Sequence, residues 1–244
     1  MGIRALRLRF EDRATERAFL DDYALGDRTR QALLWASLAA VALTMRLADP
    51  VVVMSAEGIT TIRLWREGLT VSVGVAVAAW SFVRQALWRR TWQLVTLVGY
   101  VLCFGNVVFI QFALQHRGVP ITTEYFLFGC TVLSVGTLIV YSTLSLRLVH
   151  AVIAAAIPAS LQILFLLLHP PATSAVTQYL VFWMVSVVSF GAVGGHMIER
   201  LRRTDFRRRV QLEEARAQTE AVLTAEVRHQ VAARSRELSD VLAR

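Results

Sequence analysis

Apolar residues in this chain gather into six long runs separated by short polar breaks. The runs are "QALLWASLAAVALTM" from Gln31, "GLTVSVGVAVAAWSFV" from Gly68, "TWQLVTLVGYVLCFGNVVFIQFAL" from Thr91, "YFLFGCTVLSVGTLIVYSTL" from Tyr125, "LVHAVIAAAIPASLQILFLLL" from Leu148 and "TQYLVFWMVSVVSFGAVGGHMI" from Thr177. A bilayer core asks for roughly 20 mostly apolar residues per helix, so the pattern predicts an all-α integral membrane protein with six transmembrane helices. The first two runs are short, and Arg46 and Arg66 beside them are expected to snorkel outward and extend them. Connectors such as "HRGVP" and "HPPAT" supply turn residues. Before the first run, residues 1–30 hold seven arginines and six acids without a secretory pattern, and read as a cytoplasmic amphipathic segment. After the last run, residues 199–244 contain no glycine or proline and are rich in Ala, Glu, Gln, Arg and Leu, which predicts a long helix. The expected plan is therefore 1–30 amphipathic lead, 31–198 six-helix membrane domain, and 199–244 juxtamembrane helix.

Charge gives this plan a direction. The formal net charge is +8 although over half the residues are hydrophobic, a mixture natural to membrane helices with charged ends. All 26 basic residues are arginine, as the codon bias of a GC-rich genome would produce. Arginines crowd one set of flanks, including Arg28, Arg30, Arg84, Arg89, Arg90, Arg147 and Arg200, while the other set holds only Arg46, Arg63, Arg66 and Arg117. The positive-inside rule then places both termini in the cytoplasm of a bacterial inner membrane protein. Trp65, Trp88, Trp92 and Tyr125 fall near the expected interfaces, where aromatic anchors belong.

Candidate chemistry within the runs is sparse. Asp49, Glu57, Glu67 and Glu124 sit at or outside the expected span edges, which gives little support to ion-coupled transport. A small transporter or channel with a cytoplasmic oligomerisation tail stays as the alternative. An intramembrane serine protease would need a G-x-S elbow in the fourth run, where only "LSVGTL" with Ser134 occurs. His150 and His196 fall in the same leaflet and are the candidates for binding a metal or haem. A histidine so placed more often bonds a neighbouring carboxylate, and Glu199 lies one turn beyond His196. No cofactor is therefore expected. Cys103 and Cys130 lie inside apolar runs and read as small packing residues. Gly191 and Gly195, four apart, would suit a close helix contact in a dimer, and Pro158 predicts a kink.

The tail carries two signals. Arg200, Arg202, Arg203, Arg207, Arg208 and Arg209 sit where anionic headgroups lie, which favours lipid contact over nucleic acid. A 4–3 spacing runs from Phe206 through Val210, Glu213, Ala217, Glu220 and Thr224 to Val227, Val231, Arg234, Leu238 and Val241. The seam is apolar at its ends and polar in the middle, so it predicts a weak parallel coiled coil between two copies, with Val227, Val231, Leu238 and Val241 facing their twins. Weak pairing suits a helix pair that switches between two registers.

Three stretches carry a resemblance. "LRFEDRATERAFLDDY", with Phe10, Glu16 and Phe19, resembles the amphipathic lead before six-span regions of bacterial signalling proteins, such as membrane-anchored class III adenylate or guanylate cyclases and large serine/threonine kinases. "IRLWREGLTVSV" resembles the start of span two in that group, where an arginine, here Arg63 or Arg66, enters the membrane. "AEVRHQVAARSRELSDVLAR" is similar to the helix that leads into bacterial serine/threonine and histidine kinase domains. The Asn-Leu-Pro stop of the cyclases is missing, which turns the expected output toward a kinase. The resemblance implies a sensory and dimerising membrane module, either a truncated receptor or a free-standing partner of a separate kinase. No kinase glycine loop, HRD, DFG, phosphoacceptor-histidine box or cyclase metal aspartates occur, so no enzymatic activity is expected of these residues. His229 in "EVRHQV" reads as a helix-surface residue.

Overall fold

The computed structural model of the chain describes residue 10 and residues 12–26, 28–47, 56–83, 85–121, 123–142, 146–170 and 174–242. Asp49 and Arg84 fall outside the described residues, as do the side chains of Arg46, Glu124, Leu238 and Val241. Helix accounts for 93 % of the structure, and no strand occurs among the described residues.

In chain order the helices are α1 (Arg13–Gly26), α2 (Arg28–Thr44), α3 (Ala56–Trp65), α4 (Ser72–Trp80), α5 (Gln85–His116), α6 (Thr123–Ser142), α7 (Leu148–Leu168) and α8 (Ser174–Leu242). A 3-10 turn, Met45–Leu47, follows α2, and a π-helical stretch, Arg66–Val71, joins α3 to α4. Among the described residues, four helices, α5, α6, α7 and α8, are long and apolar enough to cross a membrane. The α2 helix is 17 residues long, and the π-helical stretch splits the run from Ala56 to Trp80. Helix in that second run begins at Ala56, well before the expected start at Gly68, because Arg66 and Glu67 continue the helix and do not end it.

The chain divides into two compact units, Met1–Glu199 and Arg200–Arg244. In the first, α5 packs along α7 and α2 along α4, with α6 against both α5 and α7. Their shared core holds Trp35, Tyr100, Phe104, Phe126, Phe165, Leu166, Leu180 and Met184. Tyr100 stacks on Phe104 at 4.4 Å, and Phe165 meets Phe112 at 4.6 Å edge-on, geometries that suit aromatic quadrupoles. Gly118 ends α5 at φ 68°, in the left-handed region that glycine enters without strain. The Val119 N–H donates to the Leu114 carbonyl and the Gly118 N–H to the Gln115 carbonyl, both at 3.0 Å, while Val119 and Leu114 pack together. That is a Schellman stop.

In the second unit, residues 211–235 are exposed throughout. Val222, Leu223, Val227 and Val231 are all apolar side chains facing solvent. Arg200, Arg207, Arg208 and Arg209 are exposed too, Arg202 is half-buried and Arg203 is buried.

Candidate functional site

Every helix begins with backbone N–H groups that lack intrahelical acceptors. At the start of α7 two of these are met by side chains far away in sequence. The Arg147 N–H donates to Gln93 Oε1 of α5 at 3.1 Å, and the Leu148 N–H donates to Glu199 Oε2 of α8 at 2.7 Å. Glu199, 8 % exposed, puts a carboxylate at the positive end of the α7 dipole, where negative charge is favoured.

The Arg147 side chain turns the other way. Its Nη2 donates to Glu16 Oε1 of α1 at 3.1 Å, and Glu16 Oε2 accepts the Phe10 N–H at 3.0 Å. The two side chains are 24 % and 13 % exposed, so the pair is screened far less than a surface ion pair. Beside it an aromatic row fixes α1. Phe10 meets Phe19 at 5.6 Å, Phe19 meets Tyr23 at 5.4 Å, and Tyr23 meets Trp92 of α5 at 5.8 Å. The Trp88 indole donates to the Ala24 carbonyl at 2.8 Å, and Arg28 donates to the carbonyls of Ser81 and Val83 beyond the end of α4. One end of the first unit thus ties α1, α5, α7 and Glu199 together through polar side chains.

This arrangement revises several expectations. Trp88 and Trp92 are 1 % and 4 % exposed, because α1 and α5 enclose them. They are packing partners and not lipid-facing anchors. Tyr125 is buried as well, whereas Trp65 keeps an exposed face. His150 and His196 are both half-buried, and His150 lies near the charges of Arg147 and Glu199. Glu199, one turn beyond His196, caps α7. Among the described residues no cluster of three or more His, Cys, Asp or Glu is poised to hold a metal ion. The Ser134 hydroxyl donates to the Cys130 carbonyl at 2.7 Å and accepts the Trp183 indole at 2.9 Å, a structural pairing of α6 with α8.

Gly191 and Gly195 are also used inside the chain. A Cβ on either would lie 2.5 Å from the Tyr141 ring of α6, so these glycines admit that ring and do not form a face open to a second copy.

The second polar locus is the π-helical stretch. Arg66 is 9 % exposed within the helical run, and so does not snorkel to an edge as its sequence context suggests. Its Nη2 lies 3.7 Å from Glu67 Oε1. Asn106 of α5 donates through Nδ2 to the Trp65 carbonyl at 2.8 Å and to Thr70 Oγ1 at 3.0 Å, pinning both sides of the widened turn. π-Turns recur at functional positions because they displace side chains from the regular helical register. Sequence reasoning passed over Asn106 and Thr70, and likewise the fully buried Gln31, Gln111 and Gln162. The available signal was an amide or hydroxyl inside an apolar run.

No protein-family model, curated protein or solved structure matches the chain.

Proposed function

We propose that the chain is the sensory and dimerising membrane module of a bacterial signalling receptor. It crosses the inner membrane six times with both termini inside, and hands its signal through the C-terminal helix to a kinase-type output domain in the same or a separate protein. In this reading α2 with its 3-10 turn forms span one, and the run from Ala56 to Trp80 forms span two. The arginine-rich flanks set the orientation, and the tail pairs with its twin along Val227, Val231, Leu238 and Val241.

The observation that carries the reading is the Glu199 cap. Glu199 is the last residue of the membrane unit, and it holds the start of α7 next to the arginine that holds α1. Turning or sliding α8 breaks the cap, so stimulus-dependent repacking of the spans and movement of the tail are one event. The exposed valines of the tail suit a second copy as partner.

Single cysteines at 227, 231, 238 and 241 in membranes test it, against off-seam cysteines at 229 and 236. The seam set should cross-link at least several-fold faster than the off-seam set. Uniform labelling at all six positions removes the paired-helix reading. Inserting one residue near 215 rotates the seam by about 100° and should uncouple a fused kinase domain while leaving insertion intact.

The Arg66–Glu67 pair within the π-helical stretch favours a second reading, a small transporter or channel, since ionisable residues inside a span usually mark a pathway. Ion or solute flux into proteoliposomes that Arg66→Gln abolishes would select that reading.

A further inference from the structure

A cavity of about 510 Å³ lies between α2, the Ala56–Trp80 run, α5 and α6. Its volume is within the roughly 300–1,000 Å³ of sites that hold one small molecule. Phe104, Ile110 and Cys103 form much of its apolar depth, each about 5 % exposed or less. Val41 of α2 and Val135 of α6, 53 % and 50 % exposed, stand at its mouth. The opening is thus sideways between two helices, toward the surface that would meet lipid chains.

Its polar groups are few, and Ser37, Thr131 and Tyr125 are among its lining residues. Arg66, Thr70 and Asn106 share the wall with Trp35. Asn106 spends its amide hydrogens on Trp65 and Thr70, while its Oδ1 is buried and has no hydrogen-bond partner. The Trp35 indole Nε1 is likewise buried without one. The site therefore offers a waiting acceptor, a waiting donor and a guanidinium in otherwise apolar walls. Buried polar groups left unmade are costly, and such groups usually await a ligand or a water. At 3.7 Å the Arg66 Nη2–Glu67 Oε1 contact is longer than a charge-assisted hydrogen bond, and a guanidinium carries five N–H donors.

We infer that this cavity binds a single-chain amphiphile entering from the bilayer, with a hydroxyl or carboxyl head at Arg66, Asn106 and Trp35 and its chain along the α2–α6 cleft. A hydroxyl head both donates and accepts: its O–H meets Asn106 Oδ1, and its oxygen accepts from Arg66 or Trp35. An ionised carboxyl head accepts only and is held by the Arg66 guanidinium. A two-chain phospholipid exceeds the cavity, and an ester head has neither the donor that suits Asn106 nor the charge that suits Arg66. The inference rests on the membrane reading above only for the route of entry, and it gives the proposed sensor its class of stimulus.

The test uses the full chain in detergent micelles, with a diazirine-bearing dodecanoic acid as photoprobe and labelled peptides mapped by mass spectrometry. Label should concentrate on α2 and α6 around Val41 and Val135. Dodecanoic acid and dodecanol should compete at least tenfold better than methyl dodecanoate. Arg66→Gln should weaken the acid about tenfold and the alcohol much less, and Asn106→Leu should erase the alcohol's preference over the ester. If Asn106→Leu unfolds, Val135→Trp, which fills the mouth, should abolish labelling in a protein of unchanged melting temperature. Label spread over the lipid-facing surface, equal competition by the ester, or co-purified phospholipid in the cleft would each overturn the inference. A correctly inserted protein that fails to bind sinks this inference alone, whereas reporter fusions showing the wrong topology sink the six-span reading itself.

Discussion

Gly191 and Gly195 both back onto the Tyr141 ring, and the fit leaves no room for a methyl group. Gly195→Ala should therefore cost about 1–3 kcal/mol through overpacking, and Tyr141→Ala in the same chain should recover part of it. A double-mutant cycle on unfolding in detergent reads the coupling. The Glu16–Arg147 pair makes the opposite kind of demand. Arg147→Gln leaves a mostly buried carboxylate with a weaker partner and should cost about 1.5–3 kcal/mol, and adding Glu16→Gln should cost less than the two separate effects summed. Asp12, just before α1, sets a pH dependence outside the apolar runs. Its carboxylate accepts the Thr15 N–H and hydroxyl and the Ala14 N–H, which together hold its pKa below the usual 3.8. A lowered carboxyl pKa means that the stability it gives is present above the ordinary value and lost as pH falls through the folded value. Cleavage within α1 by an acid-tolerant protease should accelerate below that range, and Asp12→Asn should flatten the change.

Among the elements, the Arg66–Val71 stretch departs furthest from what a pattern of hydrophobicity foretells. Hydropathy places the beginning of a span at Gly68, yet helix runs through Arg66 and Glu67 because their polar heads are received inside the fold. Asn106 is the residue that makes this possible, and it sits in the middle of an apolar run where nothing marks it as the brace of another helix. Asn106→Leu removes two hydrogen bonds and should destabilise the unit by about 1–3 kcal/mol, with slower loss of amide exchange protection everywhere except α3 and α4. The Schellman stop at Gly118 is the contrasting case. "HRGVP" announces a turn from sequence alone, and Gly118→Ala there should cost about 1 kcal/mol through the positive φ.

For the whole molecule, the arginine asymmetry leads to an expected topology. Reporter fusions after residue 30, in the 85–90 loop and after residue 205 should report cytoplasm, and fusions near Gly58, Gly118 and Ala172 should report the outside. A cytoplasmic signal at Gly118 would leave the six-span plan untenable. Association should reside mainly in the membrane unit, since the tail seam places Glu213, Glu220 and Arg234 between its apolar ends. A detached 199–244 peptide should be largely monomeric by sedimentation.

Composition and periodicity determined that this chain is helical, where most helices run, and that a long polar helix follows the last apolar run. Those properties are local: apolar length, absent helix breakers and a glycine at a turn act within a few residues of one another. The roles of Glu16, Arg147 and Glu199 were not local. Phe10, Glu16 and Phe19 drew notice through a resemblance, but their partners Arg147, Tyr23 and Trp92 follow only from packing α1 against the bundle. Trp88 and Trp92 read as interface anchors because an aromatic near a span end has the same sequence signature whether lipid or α1 covers it. The pairing of Tyr141 with two glycines, and the gathering of Arg66, Thr70, Asn106 and Trp35 around one cavity, join residues from separate helices. Hydropathy records how apolar each helix is, but only tertiary packing decides which face of it turns toward which neighbour.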